Sequence, residues 1–136
     1  MAIRLDHTIV PAKDKILSAE FFAEIFGLTV TPSYFAQVRV NESLTLDFAD
    51  EPEDWGGPGF DPRTGRSYHL AFHVGDAEFE AIFSRVKARG IAYGSEPDEP
   101  ANGQINTRRG GCGFYFEDPY GHLLEVMTVP ETGSAD

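Results

Sequence analysis

Apolar and polar residues alternate at period two from Ile3 to Val10, which predicts a strand with Ile3, Leu5, His7 and Ile9 on one face. Pro11 closes that strand. Leu17, Phe21, Ile25 and Leu28 then recur at helical spacing behind Asp14, an expected N-cap, and Gly27 is the expected stop. Short strands are expected at Leu28–Thr31, Phe35–Val40 and Leu44–Ala49, the last two joined by a tight turn at Asn41-Glu42-Ser43. In Leu44–Ala49, Leu46 and Phe48 alternate with Asp47, so the carboxylate falls on the smaller, more polar face.

The pattern then repeats. Tyr68 to Val74 alternates as a strand carrying His69 and His73. Asp76 is the expected cap of a helix with Phe79, Ile82, Phe83 and Val86 on its apolar face, and Gly90 is its expected end. Ile91–Tyr93 reads as a short strand and Ser95–Gly111 as a long polar loop. In Gly113–Met127, two β-rich runs flank Asp118-Pro119-Tyr120-Gly121, where Pro presets φ and Gly accepts the left-handed region. If the loop proper is Pro119-Tyr120-Gly121, Asp118 faces His122 and Tyr115 faces Glu125.

The fold class is therefore α+β, one domain over 1–136 built from two βαβββ modules at about 3–49 and 67–128. The linker at 50–66, rich in Gly, Pro and acid, is expected to be pinned by Trp55 and Phe60, and 129–136 is a tail. At 136 residues and 41% hydrophobic, the chain can bury a core unaided. Its net charge of −11 argues against nucleic acid and anionic membranes and favours a small-molecule or cationic partner. Cys112 alone permits neither an intrachain disulfide nor a thiolate cluster and reads as a strand filler. With neither a signal-peptide pattern nor an apolar run of membrane-spanning length, the expected location is cytoplasmic.

Equivalent strands carry equivalent residues. His7 and His69 lie on the two first strands, Asp47 and Glu125 on the two last. Pseudo-symmetric modules would bring two imidazoles and two carboxylates together, a donor set suited to a divalent ion such as Zn, Ni, Mn or Fe.

The order His, carboxylate, His, Glu in paired modules resembles the vicinal oxygen chelate superfamily, which includes glyoxalases, extradiol dioxygenases, and fosfomycin- and bleomycin-resistance proteins. The resemblance runs from Leu5-Asp6-His7-Thr8 through Tyr68-His69-Leu70-Ala71-Phe72 to Phe114-Tyr115-Phe116-Glu117-Asp118-Pro119-Tyr120-Gly121-His122-Leu123-Leu124-Glu125. It implies the glyoxalase/dioxygenase fold, a curved mixed sheet lining a cleft with helices outside. It also implies His7, Asp47, His69 and Glu125 as metal ligands, Asp47 standing where members carry a longer Glu. Tyr115 would contact substrate. Members often build each metal site from both chains of a homodimer, and a homodimer is expected here.

The resemblance implies a glyoxalase- or lyase-like reaction first, with Glu125 or Asp47 moving a proton of a substrate that chelates through vicinal oxygens. An Fe(II) extradiol dioxygenase comes second, because Asn106-Thr107-Arg108 stands where such enzymes carry a further His. A metal-free drug-binding protein of the bleomycin-resistance kind is the third reading. Arg108 and Arg109 are either solvated loop charges or a clamp on a substrate carboxylate. Tyr115 could equally be a packing residue, and His73 and His122 read as hydrogen-bonded structural histidines.

Overall fold

The computed structural model describes residues 3–50 and 68–130. Its elements are β1 (His7–Ala12), α1 (Lys15–Phe26), β2 (Val30–Pro32), β3 (Ala36–Arg39), β4 (Thr45–Asp50), β5 (His69–His73), α2 (Asp76–Ala88), β6 (Gly113–Glu117) and β7 (Leu123–Met127). Contacts divide the chain into two compact units, Met1–Tyr68 and His69–Asp136.

In the first unit the sheet order is β1-β4-β3-β2, with β1 parallel to β4 and the other neighbours antiparallel. The parallel pair needs a crossover, and α1 with β2 and β3 supplies it. The helix starts where the Asp14 carboxylate accepts the N–H groups of Ile16 and Leu17, each at 3.1 Å. It stops at Gly27, whose φ of 73° is left-handed and open to glycine at little cost.

The buried face of α1 differs from the one expected. It is Ser18, Ala19, Phe22, Ala23 and Ile25, whereas Leu17 is 56% exposed and Phe21 only half-buried. The reason is tertiary: Phe22 stacks on Phe26 and meets Phe48 of β4 at 6.0 Å between ring centroids. That contact turns the Phe22 side of the helix onto the sheet. The first strand also begins late, at His7, leaving Ile3 and Leu5 exposed, and it continues through Pro11 and Ala12. Asp50, expected to open the linker, ends β4 and accepts the Lys15 N–H at 2.7 Å. The rest of that linker, with Trp55 and Phe60, lies outside the described residues.

In the second unit the order is β5-β7-β6, with β5 parallel to β7 and β6 antiparallel to it. Both units are thus mixed sheets with one helix each, an α+β arrangement of four and three strands among the described residues. Phe79 of α2 meets Phe114 of β6 edge-on at 5.4 Å, and Phe83 meets it at 5.1 Å. This aromatic cluster fixes the helix side of the sheet, and burying each ring contributes on the order of 2 kcal/mol.

Two expectations fail in this unit. The N-cap of α2 is Gly75, whose N–H is accepted by the Glu78 carboxylate at 2.9 Å, so Asp76 is the first helical residue. Ile91–Tyr93 is not a strand. In its place Gly94 makes one isolated bridge to Tyr115, donating to its carbonyl at 2.9 Å and accepting its N–H at 2.8 Å. The described second unit therefore reads β-α-β-β.

Candidate active site

The β6/β7 hairpin has the expected register. Asp118 N–H donates to His122 O and Gly121 N–H to Asp118 O, both at 3.0 Å, and Gly121 has φ 99°. The loop thus closes over three residues, and Tyr115 stands opposite Glu125. Phe114 and Phe116 are fully buried, with Phe114 against α2, so strand alternation puts Tyr115 on the face away from that helix. Glu125 shares that face as its ladder partner.

Parallel pairing brings in the histidine. Ala71 is the partner of Glu125 and His69 lies two residues earlier on the same face. The His69 Nε2–H donates to Glu125 Oε1 at 3.0 Å. His69 stays about half exposed while Glu125 is nearly covered, so the pair presents its imidazole outward.

On the other side of Tyr115, Arg108 Nη1 donates to the tyrosine hydroxyl at 2.9 Å, and Arg108 Nη2 is paired with Glu96. Glu96, Arg108, Tyr115, Glu125 and His69 form a continuous polar row. Burial raises the Tyr115 pKa above the ordinary phenol value; the Arg108 hydrogen bond opposes the rise and the Glu125 carboxylate reinforces it. Tyr115 therefore keeps its proton at neutral pH and can donate it in a hydrogen bond. The row borders a cavity of about 420 Å³ lined by Glu96, Pro97, Asp98, Arg108, Arg109, Tyr115 and Glu125, a size that suits a small molecule. Arg109 reaches it from a left-handed backbone, φ 56° and ψ 25°, unusual for a residue with a side chain.

The first unit repeats the register. Ile9 is the ladder partner of Asp47 and His7 lies two residues earlier, as with Ala71, Glu125 and His69. Here the two side chains have other partners. His7 Nδ1 donates to Asp6 at 2.8 Å, and the buried Asp47 accepts from the Thr45 hydroxyl at 2.9 Å and more weakly from Gln37 at 3.4 Å. The Asp6 hydrogen bond raises the His7 pKa; slight desolvation opposes it, and the Asp47 charge adds to it. Each unit thus holds one imidazole and one carboxylate at matching ladder positions. Among the described residues no three His, Cys, Asp or Glu side chains stand close enough to hold a metal ion.

The remaining candidates are structural. His122 is fully buried in the hairpin, His73 donates to Thr128 O at 3.2 Å, and Cys112, a free thiol, donates its N–H to the Thr128 hydroxyl at 2.9 Å. Glu96 went unnoticed in the sequence. It lies in a polar loop without periodicity, and nothing local signals that Arg108, far along the same loop, returns to it.

The family model for the Glyoxalase/Bleomycin resistance protein/Dioxygenase superfamily matches residues 4–126. The chain belongs to that superfamily. Oxidase ChaP-H1 is 42% identical in sequence, with a TM-score of 0.84 over 97% of this chain and 100% of its own. Oxidase ChaP-H2 is 38% identical, with the same TM-score of 0.84 over 98% of both chains. Glutathione transferase FosA of Serratia marcescens is 26% identical over 129 residues, 90% of this chain and 78% of its own length. No helix among the described residues is long and apolar enough to cross a membrane.

Proposed function

We propose that this chain is a metal-dependent enzyme that oxidises a small organic substrate chelating the metal through vicinal oxygens. The observation that carries the site is the alignment of His69, Glu125 and Tyr115 on one face of the second unit, where Tyr115 and Glu125 line a cavity of small-molecule size. Oxidation is placed ahead of lyase chemistry because two relatives that cover nearly the whole chain at 38% and 42% identity are named oxidases.

The donor set fits a divalent ion. Two neutral imidazoles and one or two carboxylates, without thiolate, are the ligands that Fe, Mn, Ni or Zn accept. His69 and Glu125 would form one half of the set, His7 and Asp47 the other. In this reading a second copy of the chain contributes one of the halves, in a homodimer. Supporting it, each unit holds one imidazole and one carboxylate at equivalent ladder positions. The bound ion would supply Lewis acidity toward the adjacent substrate oxygens.

The chain's own residues do the rest. Arg108 donates into the Tyr115 oxygen, so the phenolic hydrogen is left to point elsewhere, toward Glu125 or a substrate oxygen. A donor already oriented loses little when charge develops on that oxygen. With Arg108 paired to Glu96, substrate recognition falls to Tyr115 and the residues that would hold the ion rather than to a clamp by Arg108. Arg109 lines the cavity and is kept as a substrate contact.

Lyase chemistry is the second reading, favoured by Asp47, a buried carboxylate at the position equivalent to Glu125 that could act as base. Oxygen uptake separates the two. The protein reconstituted with Fe(II) should consume O₂ on turnover of simple catechols or related vicinal diols. Conversion of substrate without O₂ consumption would transfer the assignment to the lyase reading.

A further inference from the structure

We propose that Glu96 is a positioning residue: by holding one end of the Arg108 guanidinium it commits the other end to the Tyr115 hydroxyl. The inference rests on the reading of Tyr115 as the substrate-facing donor, and it adds a residue outside the ligand set.

The geometry is that of a rigid fork. Arg108 Nη1 donates to Tyr115 at 2.9 Å, and Nη2 is paired with Glu96 while lying 3.5 Å from Ser95 O. Because the guanidinium is planar and its donors have fixed directions, anchoring Nη2 leaves Nη1 little freedom. The anchor shares a frame with its target. Gly94, two residues before Glu96, exchanges both backbone hydrogen bonds with Tyr115. Asn106 Nδ2 donates to Ser95 O at 3.0 Å, and the Arg108 N–H lies 3.3 Å from Asn106 Oδ1, so both ends of the loop are tied to one point.

Charge explains why an anchor is needed. Glu96 and Glu125 both act on the Arg108 guanidinium, and both line the same cavity. Without Glu96, only the Tyr115 hydrogen bond and the longer contact to Ser95 O would hold the guanidinium against the pull of Glu125, the carboxylate proposed as a ligand. Glu96 keeps the guanidinium on the tyrosine and away from Glu125.

The test uses the full chain, free of metal, with tyrosine labelled at ¹³Cζ, whose chemical shift at neutral pH reports hydrogen bonding at the phenol oxygen. The chain has 5 tyrosines, and Tyr115→Phe identifies the resonance. Arg108→Gln supplies the position of a Tyr115 without its guanidinium. In Glu96→Gln the Tyr115 resonance should move to that position while the other tyrosines stay in place, and Glu96→Asp should restore it at least in part. If the Gln substitution disturbs the other tyrosines, Glu96→Ala must give the same movement.

A Tyr115 resonance that keeps its wild-type position in the Glu96 variants, or that does not move in Arg108→Gln, overturns the proposal. Since neither metal nor substrate enters, failure here leaves the metal assignment intact, and failure of metal binding leaves this result intact.

Discussion

Tyr115 and Glu125 are ladder partners across β6 and β7, with the Tyr115 hydroxyl accepting a hydrogen bond from Arg108. Phenol and carboxylate are therefore held side by side by backbone pairing and not by chance packing. Tyr115→Phe keeps the ring and removes only the hydroxyl. It should leave metal content unchanged and lower turnover by roughly 10²-fold, as expected for loss of one donor to developing charge. Steady-state kinetics beside elemental analysis checks this, and unchanged turnover would reduce Tyr115 to a packing residue.

Gly94 has no room for a side chain. A Cβ there would lie 1.9 Å from Glu99 O and within 3 Å of the Pro100 and Ala101 backbone. Gly94→Ala must displace backbone and loosen the bridge to Tyr115. The expected cost is about 1–3 kcal/mol in denaturant unfolding, with faster hydrogen exchange at the Tyr115 amide.

Asp118 gives the hairpin a pH signature. Burial raises its pKa above the ordinary 3.8, opposed by His122 and by three backbone N–H groups that its Oδ1 accepts at 2.9, 3.0 and 2.9 Å. For an acid whose pKa is raised on folding, the folded state binds more protons than the unfolded one between the two values. Stability from this residue is complete below 3.8 and is lost as pH rises through the folded value. Asp118→Asn keeps an oxygen acceptor for the three N–H groups and cannot ionise. Unfolding free energies across acid pH should lose that component of their slope.

The start of α1 is held by two carboxylates, Asp14 on Ile16 and Leu17 and Asp50 on Lys15. Asp14→Ala removes the acceptor of two helix N–H groups and should cost about 1 kcal/mol in thermal or denaturant unfolding, with turnover unaffected.

The hairpin and its register were legible because Pro119 and Gly121 specify a loop length, and loop length sets which residues face each other. Both helices were legible from their stops and apolar spacing. The buried face of α1 was not, since Leu17, Phe21, Phe22, Ile25 and Phe26 offer several apolar stripes. Contact with Phe48 chooses among them. The short apolar run at Ile91–Tyr93 carries strand propensity, yet the chain pairs one residue later through Gly94, whose lack of a Cβ permits close approach to the Glu99–Ala101 backbone. Of the site, the histidines, carboxylates and Tyr115 could be found at their strand positions. Glu96 could not, because its role depends on where a non-periodic loop folds back.

Metal analysis of purified wild type, His7→Ala, His69→Ala and Glu125→Ala tests the central claim most directly. The prediction is a stoichiometric divalent ion in the wild type and severe loss in each variant, with Asp47→Ala affected less, because removing one of three or four ligands leaves the ion under-coordinated. A wild type that takes up no divalent ion, or variants that retain it in full, would contradict the account.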